Sequence, residues 1–584
     1  MCEGIERHFP FDEFRPGQRE LLADLCLSLS ERGLALIEAP NGIGKTATVL
    51  TAMEYLSQRI GATFLYLVRT HSQIDRVLDE CRRFSMVKVA ALRGKRELCL
   101  NWRANRIANY YLFNKRCDEL REEGKCPYFA RNSQINKERC FDPLNLGGNG
   151  CPYYGSLKTI AKGNYDVVVA SYAYLMDEGL LKFVEGTLGV RRSILVDEGH
   201  NLKKAWLSNH FITIERDLLI PISHHCWRIR DLLSYFKRSR LSYVALPKRY
   251  LAASLVCEGT VPKEVRETLI WLRGEVLEAE KVFLSGEGLL LFRRPKSTLE
   301  EIFSKYESVV LISGTWGGSE SRGEFLVDAN YRRVSLPRWG RLEAYITRDF
   351  TTRFEERSSY EYYRLATALA DLSHTVLGNM GVFASSYDIV QGLLDAGLEE
   401  LVEGPIFVER KGMRETERAY LIERYKRSWR QGAILLGVQG GRNSEGEDFP
   451  GPYMSTSVIV GMQFMKPGIF RSLTLSLWRR YSRLDNPELL IACRSAAQAA
   501  ARPVRSSDDL GFVVFADSRF KLCLNLFPEW LRGMTKIASL EEVPQLADEF
   551  FSSNGYLLED ARVPLDGVNS STIPLEGKPL EKRY

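Results

Sequence analysis

No stretch of this 584-residue chain comes near the roughly twenty uninterrupted apolar residues that a membrane-spanning helix needs. The first residues, Met1-Cys2-Glu3-Gly4-Ile5-Glu6-Arg7, lack the basic start and apolar run of a secretory signal. A soluble, cytoplasmic chain is therefore expected. No CxxC pair occurs, so the cysteine pattern is not that of a zinc ribbon. No further motif-like group of carboxylates suggests a nuclease. Charge of one sign is only mildly in excess: 80 Lys and Arg stand against 74 Asp and Glu, a net +6 that admits nucleic acid without requiring it. With 45% hydrophobic and 26% charged residues the chain reads as globular. Its length suits about three or four domains.

What is present carries more. Residues Ala39–Thr46 read APNGIGKT, a phosphate-binding loop. Backbone N–H groups around Gly42 and Gly44 suit phosphates, Lys45 suits the β/γ-phosphates, and the Thr46 hydroxyl suits Mg²⁺. About a hundred and fifty residues on, the apolar strand Ser193-Ile194-Leu195-Val196 ends in Asp197-Glu198-Gly199-His200. Asp197 can hold the magnesium and Glu198 can orient an attacking water. This pairing predicts hydrolysis of a nucleoside triphosphate. Gln18, in Phe14-Arg15-Pro16-Gly17-Gln18, is a candidate adenine reader, since an amide both donates and accepts; a glutamine at a helix start is the plainer alternative.

Between Lys88 and Arg139 stand thirteen Lys and Arg against six Asp and Glu, with Trp102, Tyr110, Tyr111, Phe113, Tyr128 and Phe129 interleaved. Cations for the backbone and flat rings for bases suit single-stranded nucleic acid, although a solvated basic face would look similar. Five of the twelve cysteines (Cys99, Cys117, Cys126, Cys140 and Cys151) fall in the same stretch. Disulfides are not expected in a reducing compartment, so the economical reading is a metal site, either Zn²⁺ or an iron–sulfur cluster. Others, such as Cys26 and Cys257, sit in helical apolar patterns and read as core.

Strands read at 62–68, 166–171, 193–196 and 309–312 alternate with helices, which predicts a parallel sheet with ligands at the strands' C-terminal edges. Arg69-Thr70-His71-Ser72-Gln73 is a polar turn that either holds a phosphate or caps the next helix. From Trp206 to Leu284 the spacing becomes helical, with Val265, Leu269, Leu272, Val276 and Val282-Phe283 on one apolar stripe. A second α/β unit has strands at 381–384, 433–437, 457–460 and 511–516 and no phosphate loop. In it, Gln498, Arg502 and Arg505 are spaced to share one helical face, where the arginines could act as fingers on a γ-phosphate.

Taken in order, FRPGQ, EAPNGIGKT, RTHSQ, DEGH, SGT at Ser313–Thr315, TTRFEERS at Thr351–Ser358, GNMGVFASSY at Gly378–Tyr387, LLGVQGGRNSEGEDFPG at Leu435–Gly451 and QAAARPVRS at Gln498–Ser506 span nearly the whole chain. The chain resembles the XPD-like iron–sulfur helicases of superfamily 2, archaeal members in particular. The resemblance implies an α/β fold: two RecA-like parallel-sheet motor domains with an inserted iron–sulfur domain and an inserted helical arch. The first motor domain would comprise residues 1–87, 161–204 and 296–344, interrupted by the iron–sulfur domain at 88–160 and the arch at 205–295. The second motor domain would cover 345–561, leaving a mobile tail at 562–584. The implied catalytic set is Lys45, Asp197, Glu198, His200, Gln498, Arg502 and Arg505. ATP would be held by Gln18 and by Ala39, Pro40, Asn41, Gly42, Ile43, Gly44, Lys45 and Thr46, with Mg²⁺ on Thr46 and Asp197. A [4Fe-4S] cluster would sit on Cys99, Cys117, Cys126 and Cys151, with Cys126 against Cys140 left open. Implied function is 5′→3′ ATP-dependent unwinding of single-stranded and forked DNA in repair, by a monomeric, nucleoid-associated protein with repair-protein partners. The alternative is a DNA-binding structural subunit with weak ATPase. Asn41 and Ile43 replace the usual hydroxyl residues of the loop, Asn443 replaces an aromatic, and Ala501 stands where glycine normally precedes the first arginine.

Overall fold

The computed structural model describes residues 2–107, 109–129, 138–146, 150–177, 193–238, 244–256, 261–285, 288–334, 341–445, 447–504 and 509–554, with the isolated positions 180, 182 and 186. The proposed mobile tail, Arg505 and Cys257 lie outside them. The chain divides into two compact units. The first comprises Met1–Trp339, Gln463–Gln498 and Leu522–Gly533; the second comprises Gly340–Met462, Ala499–Lys521 and Met534–Tyr584.

The first unit is built on an eight-stranded parallel sheet. Its order is Ala329–Arg333, Gly33–Glu38, Ser308–Ser313, Ser193–Asp197, Phe64–Val68, Val167–Ser171, Val89–Leu92 and Cys140–Phe141. Strand side chains alternate between two cores. Phe64, Tyr66 and Val68 face one cluster and Leu65 and Leu67 the other; Val167 and Val169 part from Val168 and Ala170 in the same way. Burial on both faces explains why these strands read as continuous apolar runs. Each Val, Leu or Phe among them contributes about 1.5–3 kcal/mol by leaving water.

Local chemistry sets the helix starts. Thr70 caps the helix His71–Cys81, and the Gln73 side chain returns to the Thr70 N–H in a capping box. Of the two roles open to that polar turn, capping is the one seen. Nearly buried Arg93 binds Asp142 through Nε and Nη2 at 2.9 and 2.8 Å, and Asp75 through Nη2 at 2.5 Å. This pins the start and the return of the cysteine-rich insertion to the sheet.

The insertion after Trp206 is not wholly helical. The helix Lys263–Glu278 forms as its apolar spacing predicts. Val282 and Phe283, read as a continuation of that stripe, instead belong to a four-stranded antiparallel sheet ordered Phe211–Glu215, Gly288–Phe292, Lys281–Ser285 and Val244–Leu246. Short apolar runs fit either period, and pairing with Gly288–Phe292 decides the case.

The second unit carries a seven-stranded parallel sheet. Its order is Ile406–Val408, Ile434–Val438, Met380–Ala384, Thr456–Val460, Leu510–Ala516, Arg341–Thr347 and Thr535–Ala538.

Candidate active site

The strand Gly33–Glu38 leads into the phosphate loop, and the helix Lys45–Ile60 leaves it. Gly42 and Gly44 adopt φ of 85° and 87°, the left-handed region where a side chain is strained. Gly44 has a second constraint, because a Cβ there would come within 2.3 Å of Gln18 Nε2. Gln18 is buried against the loop, and its Oε1 accepts the Arg15 N–H at 2.7 Å. Arg15 in turn donates from Nη1 to the Gly42 carbonyl at 2.8 Å. Lys45 Nζ donates to Asn41 Oδ1 at 3.0 Å and to the Ala39 and Pro40 carbonyls at 3.2 and 3.3 Å. Asn41, a departure from the family pattern, therefore supplies one of the oxygens around the lysine. Ile43 is fully buried in the apolar core, which accounts for its loss of the usual hydroxyl.

Two strands away, Asp197 ends its strand and Glu198 follows with φ 49°, the one non-glycine residue at positive φ among those described. Such strain persists where the surroundings fix it. Here the Tyr172 hydroxyl donates to the Asp197 carbonyl and, at 3.0 Å, to that of Glu198. Burial and the neighbouring Glu198 push the Asp197 carboxyl above the ordinary range, while Lys45 opposes this. Tyr66 lies 3.5 Å from Asp197 Oδ2 and also interacts with Thr46. These side chains make an oxygen-rich pocket floor suited to a hydrated magnesium ion.

His200 links three motif segments. Its Nδ1 lies 2.6 Å from Ser313 Oγ and 3.3 Å from Glu198 Oε2; its Nε2 lies 2.7 Å from Asn201 Nδ2 and 2.9 Å from Gln498 Nε2. Amide nitrogens only donate, so Nε2 must accept and Nδ1 carries the proton. Burial and surrounding cations, Arg494 first among them, hold the imidazole neutral. Ser313 Oγ also accepts the Thr315 N–H at 3.0 Å. Tyr172, Tyr66, Arg15 and Ser313 thus shape this site. Arg15 and Ser313 lie in the FRPGQ and SGT segments, whereas Tyr66 and Tyr172 carried no motif signal.

Gln498 and Arg502 do not share the helical face expected for them. The helix Pro487–Ala500 stops before Arg502, because Pro503 supplies no N–H and disfavours helical backbone in the residue preceding it. Arg505 is outside the described residues. In the second unit Arg502 is buried and donates from Nη1 to the Glu447 carbonyl at 2.6 Å. Asn443 is buried there too, with Arg418 Nη1 3.3 Å from its Oδ1 and its Nδ2 3.1 Å from Glu409 Oε2. The polar pair explains an amide at a position where the family favours an aromatic ring.

The cysteines divide cleanly. Cys99, Cys117, Cys126 and Cys151 are free thiols lining one pocket, closed by Leu100, Leu120, Tyr128 and Phe129 among others. Cys140 is disulfide-bonded to Cys81, which removes it from the ligand candidates. Contrary to the expectation of a fully reduced chain, Cys2–Cys26 and Cys493–Cys523 are also bonded, and so is Cys226. Cys26 is buried as its pattern predicted, but as half of a bridge. Burial raises the pKa of Cys99, Cys117 and Cys151, and for Cys117 the nearby Lys95 counters this. Among the described residues no three His, Cys, Asp or Glu side chains converge as around a single ion. Four thiols set around a cavity nevertheless fit a group larger than one ion, such as an iron–sulfur cluster.

A phosphate loop and strand-end carboxylates on one parallel sheet, with a second parallel sheet later in the chain, define a superfamily 2 motor of two RecA-like domains. The DEAD_2 family matches residues 66–219, and the family described as the helicase C-terminal domain matches 369–534. The general transcription and DNA repair factor IIH helicase subunit XPD of Dictyostelium discoideum is 22% identical over 91% of this chain and 88% of its own length. The ATP-dependent DNA helicase XPD of Sulfolobus acidocaldarius is 23% identical over 87% of this chain and 96% of its own. A solved XPD helicase shares the fold at a TM-score of 0.63 and 19% identity, covering 90% of this chain and 100% of that one. The structure of S. tokodaii Xpd4 does so at 0.58 and 17%, covering 89% and 99%. The chain belongs to the XPD family of helicases. No helix among the described residues is long and apolar enough to cross a membrane.

Proposed function

We propose that this chain is an ATP-dependent DNA helicase that moves 5′→3′ on single-stranded DNA, opens forked duplexes and serves DNA repair. The observation that carries the reading is the phosphate loop around Lys45 on the same parallel sheet as Asp197 and Glu198. Lys45 and the loop N–H groups would hold the phosphates of ATP, and Thr46 and Asp197 would hold Mg²⁺, whose charge screens the phosphate oxygens. Glu198 orients a water for attack, and neutral His200 positions Glu198. Gln18 would meet the adenine edge, and Arg502 with Arg505 would act as arginine fingers. Cys99, Cys117, Cys126 and Cys151 would hold a [4Fe-4S] cluster that braces the inserted domain. A monomer associated with the nucleoid, working with repair proteins, suits this reading.

The test is Lys45→Ala. Turnover of ATP should fall by about a thousandfold or more while affinity for single-stranded DNA stays near wild type, because lysine stabilises the transferring phosphate. Near-normal turnover would sink the motor assignment. Forked duplexes carrying either a 5′ or a 3′ tail then read the direction; opening of 3′-tailed forks alone would refute the stated polarity.

A further inference from the structure

Just past the strand Ser308–Ser313, the chain lies against the strand that feeds the phosphate loop. Trp316 is fully buried and donates from Nε1 to the Ile37 carbonyl at 3.1 Å, and the Gly317 N–H donates to Glu38 Oε2 at 3.1 Å. Two later stretches of the first unit, Gln463–Gln498 and Leu522–Gly533, close over this segment. Trp530 Nε1 donates to the Gly314 carbonyl at 3.2 Å. Gly317 adopts φ of 84°, and a Cβ there would come within 2.5 Å of the Leu526 carbonyl oxygen and 3.4 Å of Leu490 Cδ1. The Cys493–Cys523 bridge ties the two stretches together.

Arg494, buried in the helix Pro487–Ala500, stands at the centre of this contact. Its Nε donates to the Trp316 carbonyl at 3.0 Å, and its Nη1 lies 2.8 Å from Oε2 of the fully buried Glu324. Its guanidinium carbon is 5.2 Å from the Trp316 ring centroid. Satisfying that carbonyl does not by itself need an arginine, because Ser321 Oγ also donates to it at 3.0 Å. Nor does stability, since an apolar pair of similar volume in place of a buried ion pair is often neutral or stabilising. What the arginine fixes is register. Gln498 follows it by one helical turn on the same face and reaches His200 Nε2 at 2.9 Å. Ser313, three residues before Trp316, reaches His200 Nδ1 at 2.6 Å. One guanidinium thus fastens the helix that carries one imidazole partner to the segment that carries the other.

We propose that Arg494 is a positioning residue for nucleotide hydrolysis: with Glu324 it sets the register between the Gln498 helix and the Ser313 segment, and so holds His200 against Glu198. The proposal rests on the ATP-motor reading. It is tested on the full chain by DNA-stimulated ATP turnover, with KM and melting temperature read alongside. Arg494→Met should lower kcat about tenfold with the KM for ATP near wild type, because the loss falls on the oriented water and not on nucleotide binding. The double variant Arg494→Met with Glu324→Met should melt near or above wild type and yet keep the low kcat. Gln498→Ala should cost about tenfold in wild type and less than about twofold in Arg494→Met, because both act through His200.

Wild-type kcat in the double variant, or an undiminished cost of Gln498→Ala on top of Arg494→Met, would overturn the positioning role. Should Arg494→Met lose its far-ultraviolet circular dichroism, Arg494→Lys takes its place in the cycle, since lysine keeps the charge opposite Glu324 but lacks the Nε donor. A lowered kcat at unchanged KM, with little further cost from Gln498→Ala, then supports the role, and additive costs refute it. Wild type without ATP turnover would sink the motor reading and this proposal with it. An active wild type with an equally active double variant sinks this proposal alone.

Discussion

At the scale of single residues, the arrangement around His200 makes a chain of contacts rather than a catalytic group. The imidazole touches Glu198, Ser313 and Gln498 and is held neutral with its proton on Nδ1. On the mechanism proposed above it acts through Glu198 as a positioning residue. His200→Ala should lower turnover about ten- to a hundredfold with the KM for ATP near wild type, since the contact matters most once water is being oriented. Gln498→Glu should be informative in another way. A carboxylate against Nε2 favours the imidazolium, so the acid limb of the turnover profile should move to higher pH. A profile identical to wild type would mean that Gln498 does not govern the state of His200. None of this was legible from residue types. DEGH and SGT announced themselves as motifs, but which atoms meet depends on neighbouring parallel strands placing both C-terminal ends side by side.

At the scale of elements, the sequence predicted the parallel strands closely because both faces are buried and their apolar runs are unbroken. Strands expected at 381–384, 433–437, 457–460 and 511–516 form as Met380–Ala384, Ile434–Val438, Thr456–Val460 and Leu510–Ala516. It misplaced elements whose fate depends on partners or on one residue: the hairpin around Val282, and the helix that Pro503 ends before Arg502. The cysteine insertion shows the same limit. Clustering marked the stretch, but the bridge between Cys81 and Cys140 and the pocket lined by Cys126 are what distinguish the two. A direct consequence can be measured. Purified without oxygen, the chain should absorb broadly in the visible and bleach on reduction. Serine at Cys99, Cys117, Cys126 or Cys151 should remove the colour, whereas Cys140→Ser should retain it. About one zinc and no iron per chain would overturn the cluster assignment.

At the scale of the whole molecule, seven of the twelve cysteines, all among the described residues, are disulfide-bonded, an arrangement unusual for a chain read as cytoplasmic. Intracellular proteins of hyperthermophiles are the exception to that rule, and there such bridges stabilise chains against heat. The bridges join positions 24, 59 and 30 residues apart for Cys2–Cys26, Cys81–Cys140 and Cys493–Cys523. Pairings of that kind are tertiary facts; the order of cysteines along a chain does not determine them. Closing loops of this length restricts the unfolded chain and is worth about 2–4 kcal/mol per bridge. The Cys493–Cys523 bridge lies away from the thiol pocket, so it can be removed with the cluster ligands intact. Replacing both residues with serine should lower the melting temperature by roughly 5 °C while the visible spectrum is unchanged. The native state of the bridges is checked by titrating thiols in denaturant. Seven described cysteines are bonded and the bridge of Cys226 takes one more, so without reductant at most four should react, and with reductant all twelve. Twelve reactive thiols without reductant would show that the chain is fully reduced in solution, and its stability would then have to come from noncovalent packing.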